Sequence, residues 1–204
     1  MRPLAGLVIA YLAGSIPFAY LAGRLFKGID LREHGSGNLG ATNVFRVMGW
    51  KIATLVMLLD MTKGALPVLL LPPRLAPVHQ ELWAIACGVA AIVGHVRSVF
   101  LLWKGGGKGV ATAGGVFLAL APVPSLISIA VFAIVVYLSG YVSLGSLCSA
   151  VTLTFAVALM KGLDSPITIA CALITVFVFW THRANIGRLR RGEENRFRRT
   201  RPAV

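Results

Sequence analysis

The sequence predicts an all-α integral membrane protein of about seven transmembrane helices, with its N-terminus outside and its C-terminus cytoplasmic. Three observations carry that prediction. Hydrophobic residues make up 57% of the chain and charged residues 13%. The apolar residues gather into runs that approach or exceed the ~20 residues a helix needs to cross a bilayer. The basic residues crowd into alternate segments between those runs, as the positive-inside rule requires of a polytopic protein. Period-two alternation is absent, which excludes an outer-membrane barrel. The net charge of +13 lies next to apolar spans, where it orients the chain and attracts anionic headgroups, so no nucleic-acid partner is expected.

The first span runs roughly from Pro3 to Phe26, with a kink at Gly14-Ser15-Ile16-Pro17. It lacks a basic leader and a small-residue cleavage site, so it is expected to remain as a span. The second runs roughly from Ile52 to Leu71 and carries Asp60 and Lys63, three residues apart on one helical face. Opposite charges inside a span are expensive unless they meet each other or a ligand. The third runs roughly from Leu82 to Trp103, with His95 about two turns inside it and read as structural. The fourth begins near Val110 and stops at Pro122-Val123-Pro124. Span five fills roughly Ser125–Leu138, span six Val142–Met160 and span seven Pro166–Thr181. The small residues of the later spans suit close helix packing. The chain reads as one polytopic domain over 1–204, with 190–204 a basic, partly flexible cytoplasmic tail. Cys87, Cys148 and Cys171 all lie in apolar runs without metal-ligand spacing, so they read as small hydrophobes and no metal is expected.

With the N-terminus outside, Arg24, Lys27, Arg32, Arg46, Lys51, Lys104, Lys108 and the Arg-rich tail fall inside; Arg2, Arg74 and Lys161 fall outside. This places three polar clusters on one membrane face. The first is Gly35-Ser36-Gly37-Asn38-Leu39-Gly40-Ala41-Thr42-Asn43 with Arg46: glycines for tight backbone, hydroxyls and amides as donors, and a cationic fork, a set suited to a phosphate ester. The second is Lys104-Gly105-Gly106-Gly107-Lys108-Gly109 ahead of Thr112. It is not a nucleotide P-loop, because Gly109 rather than Ser or Thr follows the lysine, but it is a place for an anion. The third is His182-Arg183-Ala184-Asn185 with Arg188; His182 and Asn185 share a helical face, and histidine suits proton transfer near neutral pH.

These residues resemble the acyl-phosphate-dependent glycerol-3-phosphate acyltransferases of bacteria, the PlsY family. The likeness lies in Ser36 to Asn43; in Gly94-His95 with Val99-Phe100-Leu101 through Gly106-Gly107-Lys108-Gly109-Val110-Ala111-Thr112; and in His182 with Asn185-Ile186, Arg188-Leu189, Gly192 and Glu193. Gly14-Ser15-Ile16-Pro17-Phe18, Asp60 and Lys63-Gly64 are similar too. Two departures stand out: one extra glycine between Lys104 and Lys108, and Arg97-Ser98 in a place where a more apolar residue is expected.

The resemblance implies transfer of a fatty acyl group from acyl phosphate to the 1-hydroxyl of glycerol 3-phosphate, giving lysophosphatidic acid and phosphate in phospholipid synthesis at the bacterial cytoplasmic membrane. It implies no cofactor. Its partners are the two substrates and membrane lipid, and a monomer is expected. Ser36, His182 and Asn185 are then the catalytic candidates. Gly37, Asn38, Gly40, Thr42, Asn43, Arg46, Lys104, Gly106, Gly107, Lys108, Gly109, Thr112 and Arg188 are the substrate-binding ones. Either Lys104 or Lys108 holds acyl phosphate, and either His182 or a substrate phosphate oxygen takes the proton. None of His34, His79, His95 and His182 is followed five positions on by Asp, which argues against the CoA-dependent glycerolipid acyltransferases. A carrier for a phosphorylated metabolite is the reading from a different class, with Asp60, Lys63, Arg46 and Lys108 lining its path.

Overall fold

The structure, a computed structural model, describes residues 3–75 and 78–197. Among these every regular element is helical. The chain divides into two compact units, one up to Pro122 and one from Val123, and each is described by itself.

In the first unit α1 (Pro3–Ser15) and α2 (Phe18–Lys27) are the two halves of one apolar stretch. The chain breaks at Ile16-Pro17, because Pro17 has no N–H to continue the ladder and its ring displaces the preceding turn. Past α2 a short 3-10 turn, Leu31–Glu33, leads through the glycine-rich loop into α3 (Ala41–Met48). Next come α4 (Trp50–Leu70), α5 (Pro72–Leu75) and α6 (Gln80–Val96). The helix of α6 ends at Val96, short of the expected Trp103. Arg97 turns out of helical geometry, Ser98 donates its hydroxyl to the Ser15 carbonyl at 2.5 Å, and a 3-10 turn, Val99–Leu101, follows. His95 therefore lies in the last turn of α6 rather than two turns inside a span. Leu102 and Trp103 adopt left-handed backbone (φ 51° and 57°), which swings the chain back toward Lys104 and α7 (Val110–Leu120).

Packing in this unit is close because glycines face backbone. A Cβ at Gly14 would overlap Ala91 of α6, and one at Gly94 would overlap the carbonyl of Tyr11 in α1. Gly64 of α4 and Gly115 of α7 meet the backbone of Thr112 and Met61 in the same way. This is the small-residue packing that lets helices approach in lipid, where no hydrophobic force drives them together.

The second unit holds α8 (Pro122–Ser139), α9 (Val142–Lys161), α10 (Pro166–Thr181) and α11 (Arg183–Arg190). Prolines occupy the first turn of α8 and the first position of α10, where a missing N–H costs nothing. Hydroxyls tie these helices together: Ser128 donates to the Ser149 carbonyl at 2.7 Å, and Thr154 and Thr175 share a hydrogen bond at 2.8 Å.

Among the described residues, five segments are long and apolar enough to cross a membrane: Leu4–Lys27, Trp50–Arg74, Gln80–Leu101, Pro122–Ser139 and Val142–Lys161. The pair α10–α11, bent by 60°, makes a sixth if counted as one span. Large apolar side chains such as Leu25, Tyr137, Leu159 and Leu173 are more than half exposed along these helices, as lipid-facing residues are. The protein is a multi-pass membrane protein. The seven segments anticipated are all helical, but α7 has 11 residues, and at 1.5 Å per residue it rises only about 16 Å, roughly half the hydrocarbon thickness.

Candidate functional site

The glycine-rich loop between α2 and α3 is built around Asn43. This side chain is 2% exposed, and its amide closes the loop on itself. Its Oδ1 accepts the Ser36 N–H at 2.8 Å, and its Nδ2 donates to the carbonyls of Leu31 (3.3 Å) and His34 (3.0 Å). Asn43 thus shapes the loop, with its polar atoms turned to backbone. Gly37 sits at φ 69°, a conformation a side chain would strain. Ser36 and Arg46 are exposed, while Thr42 and Gly40 are half-buried.

The second glycine turn is laced to the first. The Gly106 carbonyl accepts the Leu39 N–H at 3.2 Å and the Asn38 side-chain amide at 3.3 Å. The Gly107 N–H donates to the His95 carbonyl at 3.3 Å. Gly106 and Gly107 rest directly on the end of α6. A Cβ on Gly106 would meet the Val96 carbonyl, and one on Gly107 would enter the His95 ring. Gly109 starts α7 at φ 84°, Lys108 is half-buried and Lys104 is exposed. Thr112 differs from the rest of its motif. It is fully buried on the α4-facing side of α7, and its hydroxyl has no hydrogen-bond partner among the described residues.

The cations around these loops fall into two groups. Arg24 and Arg32 are engaged by Asp30: Arg32 reaches its Oδ2 at 2.6 Å and Arg24 at 3.2 Å, both over the Tyr20 ring. Hydrogen bonding from the Arg32 guanidinium, partly opposed by burial, pulls the Asp30 carboxyl down to about 2. Arg32 also donates to the Lys104 carbonyl at 3.2 Å, and Lys27 donates to the Val47 carbonyl at 2.7 Å near the end of α3. The guanidinium of Arg46 and the ammonium of Lys104 have no hydrogen bond or ion pair among the described residues. Below the turns, Asp60, Lys63 and His95 line a cavity of about 10 Å³, the size of a single water and far too small for a substrate.

In the second unit the anticipated cluster is organised by a residue the sequence did not single out. Glu194 is buried. Its Oε1 accepts from Ser143 (2.9 Å) and Asn185 (2.5 Å), and its Oε2 accepts from Arg188 (2.7 Å). Burial alone would raise this carboxyl, but the bonds from Asn185, Arg188 and Ser143 outweigh it and hold it below the usual glutamate range. Its neighbour Glu193, which carried the family likeness, pairs instead with exposed Arg191. The signal was present as an acidic pair inside an arginine run, but helical spacing alone does not say which glutamate turns inward. Buried His182 keeps Nδ1 2.8 Å from the Val178 carbonyl, so that nitrogen carries the proton and Nε2 is the basic one. The beginning of the expected tail is tied down as well: the Phe197 N–H donates to the Gly140 carbonyl at 2.6 Å, and Arg196 reaches the Tyr141 hydroxyl at 3.0 Å. The remainder of that tail, 198–204, lies outside the described residues.

Comparison with known proteins is consistent across sequence and structure. The family model described as glycerol-3-phosphate acyltransferase matches residues 4–192. A glycerol-3-phosphate acyltransferase of Geobacillus kaustophilus is 47% identical over 90% of both chains. One from Maridesulfovibrio salexigens is 45% identical over 95% of this chain and 96% of its own. A crystal structure of PlsY, an integral membrane glycerol 3-phosphate acyltransferase in its glycerol 3-phosphate form, superposes with a TM-score of 0.87 at 36% identity over 96% of each chain. Its lysophosphatidic acid form gives 0.83 at 34% identity, over 95% of this chain and 94% of that one.

Proposed function

The chain belongs to the glycerol-3-phosphate acyltransferase family, and from that premise we propose that it moves a fatty acyl group from acyl phosphate to the 1-hydroxyl of glycerol 3-phosphate. One observation supports this most: two glycine turns stitched through Gly106, with Ser36, Arg46 and Lys104 left exposed around them. Both proposed substrates carry phosphate, and a phosphate calls for this mix of backbone amides, hydroxyls and uncommitted cations.

In the reaction the 1-hydroxyl oxygen attacks the acyl carbonyl carbon. The bond from that carbon to the phosphate oxygen breaks, and phosphate leaves with the electron pair. An acyl phosphate is already activated, so the protein's work is to hold two anions together and steady the carbonyl oxyanion. Ser36, Gly37, Thr42 and Arg46 are assigned to glycerol 3-phosphate, with Asn38, Gly40 and Asn43 shaping their loop. Lys104 or Lys108, with the amides of Gly106, Gly107 and Gly109, is assigned to acyl phosphate, and Thr112 anchors α7 behind them. The hydroxyl proton goes to His182 Nε2 or to a phosphate oxygen of a substrate. Asn185 and Arg188 are held for polar contact by Glu194. We place the protein in the bacterial cytoplasmic membrane as a monomer, N-terminus outside and C-terminus inside, with α7 as a short seventh crossing.

The test is phosphate release by purified protein given acyl phosphate, with and without glycerol 3-phosphate. Release that depends on the acceptor, and is lost in folded Ser36→Ala protein, supports the assignment. Uptake of glycerol 3-phosphate into sealed vesicles without any phosphate release would turn the reading toward a carrier.

A further inference from the structure

Beneath the second glycine turn lies a charged cluster that the proposed reaction does not use. Asp60 and Lys63, one turn apart on α4, form an ion pair at 2.7 Å, their side chains 2% and 4% exposed. Lys63 also donates to the Ile16 carbonyl at 2.8 Å, in the proline break between α1 and α2, where that carbonyl accepts the Phe18 N–H at 3.1 Å as well. The third member comes from α6: His95 is 7% exposed, with Nδ1 3.5 Å from Asp60 Oδ1. The opposite edge of the same ring abuts Gly107, since a Cβ there would fall on Nε2. The His95 carbonyl accepts the Gly107 N–H at 3.3 Å, and the adjacent Gly106 carbonyl holds Leu39 and Asn38 of the first loop.

A continuous line of contacts thus runs from the buried ion pair through the imidazole to both glycine turns. Imidazole is rigid and planar, and its two ends engage a fixed carboxylate on one side and the turn on the other. A buried ion pair is weak evidence of stability, because desolvation offsets the attraction. A role in fixing geometry gives it a clearer reason to be here. We propose that His95 is a positioning residue: set by Asp60 and Lys63, its ring fixes the height of the Gly106–Gly107 turn and so the phosphate-receiving geometry of both loops. Glycine at 107 is then required because the ring occupies the space a side chain would take.

This rests on the phosphate-binding role assigned above to the glycine turns, and a double-mutant cycle tests it. His95→Asn keeps a hydrogen-bonding amide near the place of Nδ1 and removes the ring edge that meets Gly107. The four proteins (wild type, His95→Asn, Gly107→Ala and the double variant) are measured for glycerol 3-phosphate binding by calorimetry and for KM and kcat in acyl transfer. Gly107→Ala alone is expected to weaken binding or raise KM for a phosphate substrate at least tenfold. In the His95→Asn background the same change should have less than a threefold effect, with kcat altered less than KM. Equal effects of Gly107→Ala in both backgrounds would overturn the proposal. So would a His95→Asn protein whose melting temperature falls while binding and KM stay at wild-type values. The calorimetric cycle decides the matter even if wild type fails to transfer acyl groups, a failure that would refute the reaction and not the positioning.

Discussion

Replacing Asn43 by alanine removes three hydrogen bonds that define the first loop. The Leu31 carbonyl is in the core and would lose its partner without access to water, a penalty of about 2 kcal/mol. Ser36 and His34 are exposed, so their backbone groups would be rehydrated, and each loss is nearer ~0.5 kcal/mol. The sum, about 3 kcal/mol, corresponds to a fall of roughly 6–12 °C in melting temperature for a chain of this size. Asn43→Asp is a sharper probe. It keeps an acceptor for the Ser36 N–H but turns a carboxylate oxygen toward two carbonyls, so it should melt no higher than the alanine variant. By contrast, Ser36→Ala and Arg46→Ala remove side-chain groups with no hydrogen bond among the described residues, and should change stability by less than ~0.5 kcal/mol while abolishing turnover. Thermal unfolding in detergent alongside acyl-transfer rates separates the two classes. An Asn43→Ala protein that melts with wild type and shows only a raised KM would refute the loop-shaping role and make Asn43 a direct ligand of substrate.

Other expected outcomes follow from the same contacts. Glu194→Gln should destabilise by about 2 kcal/mol, since charged acceptors lose more than neutral ones, whereas Glu193→Gln, in an exposed pair with Arg191, should shift the melting temperature within error. Asp30 has its folded carboxyl pulled down to about 2 from 3.8, so its contribution is fully present above pH ~4 and lost as pH falls through about 2. Because Arg24 and Arg32 are 47% and 35% exposed, that contribution is discounted to about 1 kcal/mol. Melting curves from pH 5 to 2 should show an acid-dependent loss that Asp30→Asn lacks. Gly115→Ala should overpack the α4–α7 contact and destabilise by about 2 kcal/mol, while Gly114→Ala, with nothing within 4 Å, should be neutral or stabilising.

The helical architecture was legible because apolar runs in a membrane protein leave few alternatives, and because prolines mark breaks by simple sterics. Pro17 divides the first span where its ring requires, and Pro122 and Pro166 stand in first turns. The end of α6 was not legible, because what stops it is a hydroxyl of Ser98 finding Ser15 across 83 residues. The glycine turns were legible as a composition, but their joining through Gly106 is a tertiary fact. An amide beside glycines looks the same in sequence whether it faces a phosphate or a carbonyl, so the bonds from Asn43 to the backbone of Leu31, His34 and Ser36 were not legible. Glu194 was hidden for a related reason: two adjacent glutamates differ only in which side of the chain meets Ser143, Asn185 and Arg188. Asp60 and Lys63 declared themselves by spacing, but His95 completes their cluster from another helix.

A donor comparison tests acyl-phosphate dependence directly. Purified protein in lipid is given glycerol 3-phosphate labelled in its carbon skeleton, with acyl phosphate or acyl-CoA as donor, and the products are resolved by mass spectrometry. Labelled lysophosphatidic acid acylated at the 1-position is expected with acyl phosphate, with one phosphate released per product, and none with acyl-CoA. Product formed equally well from acyl-CoA, or no product from acyl phosphate, would contradict that dependence.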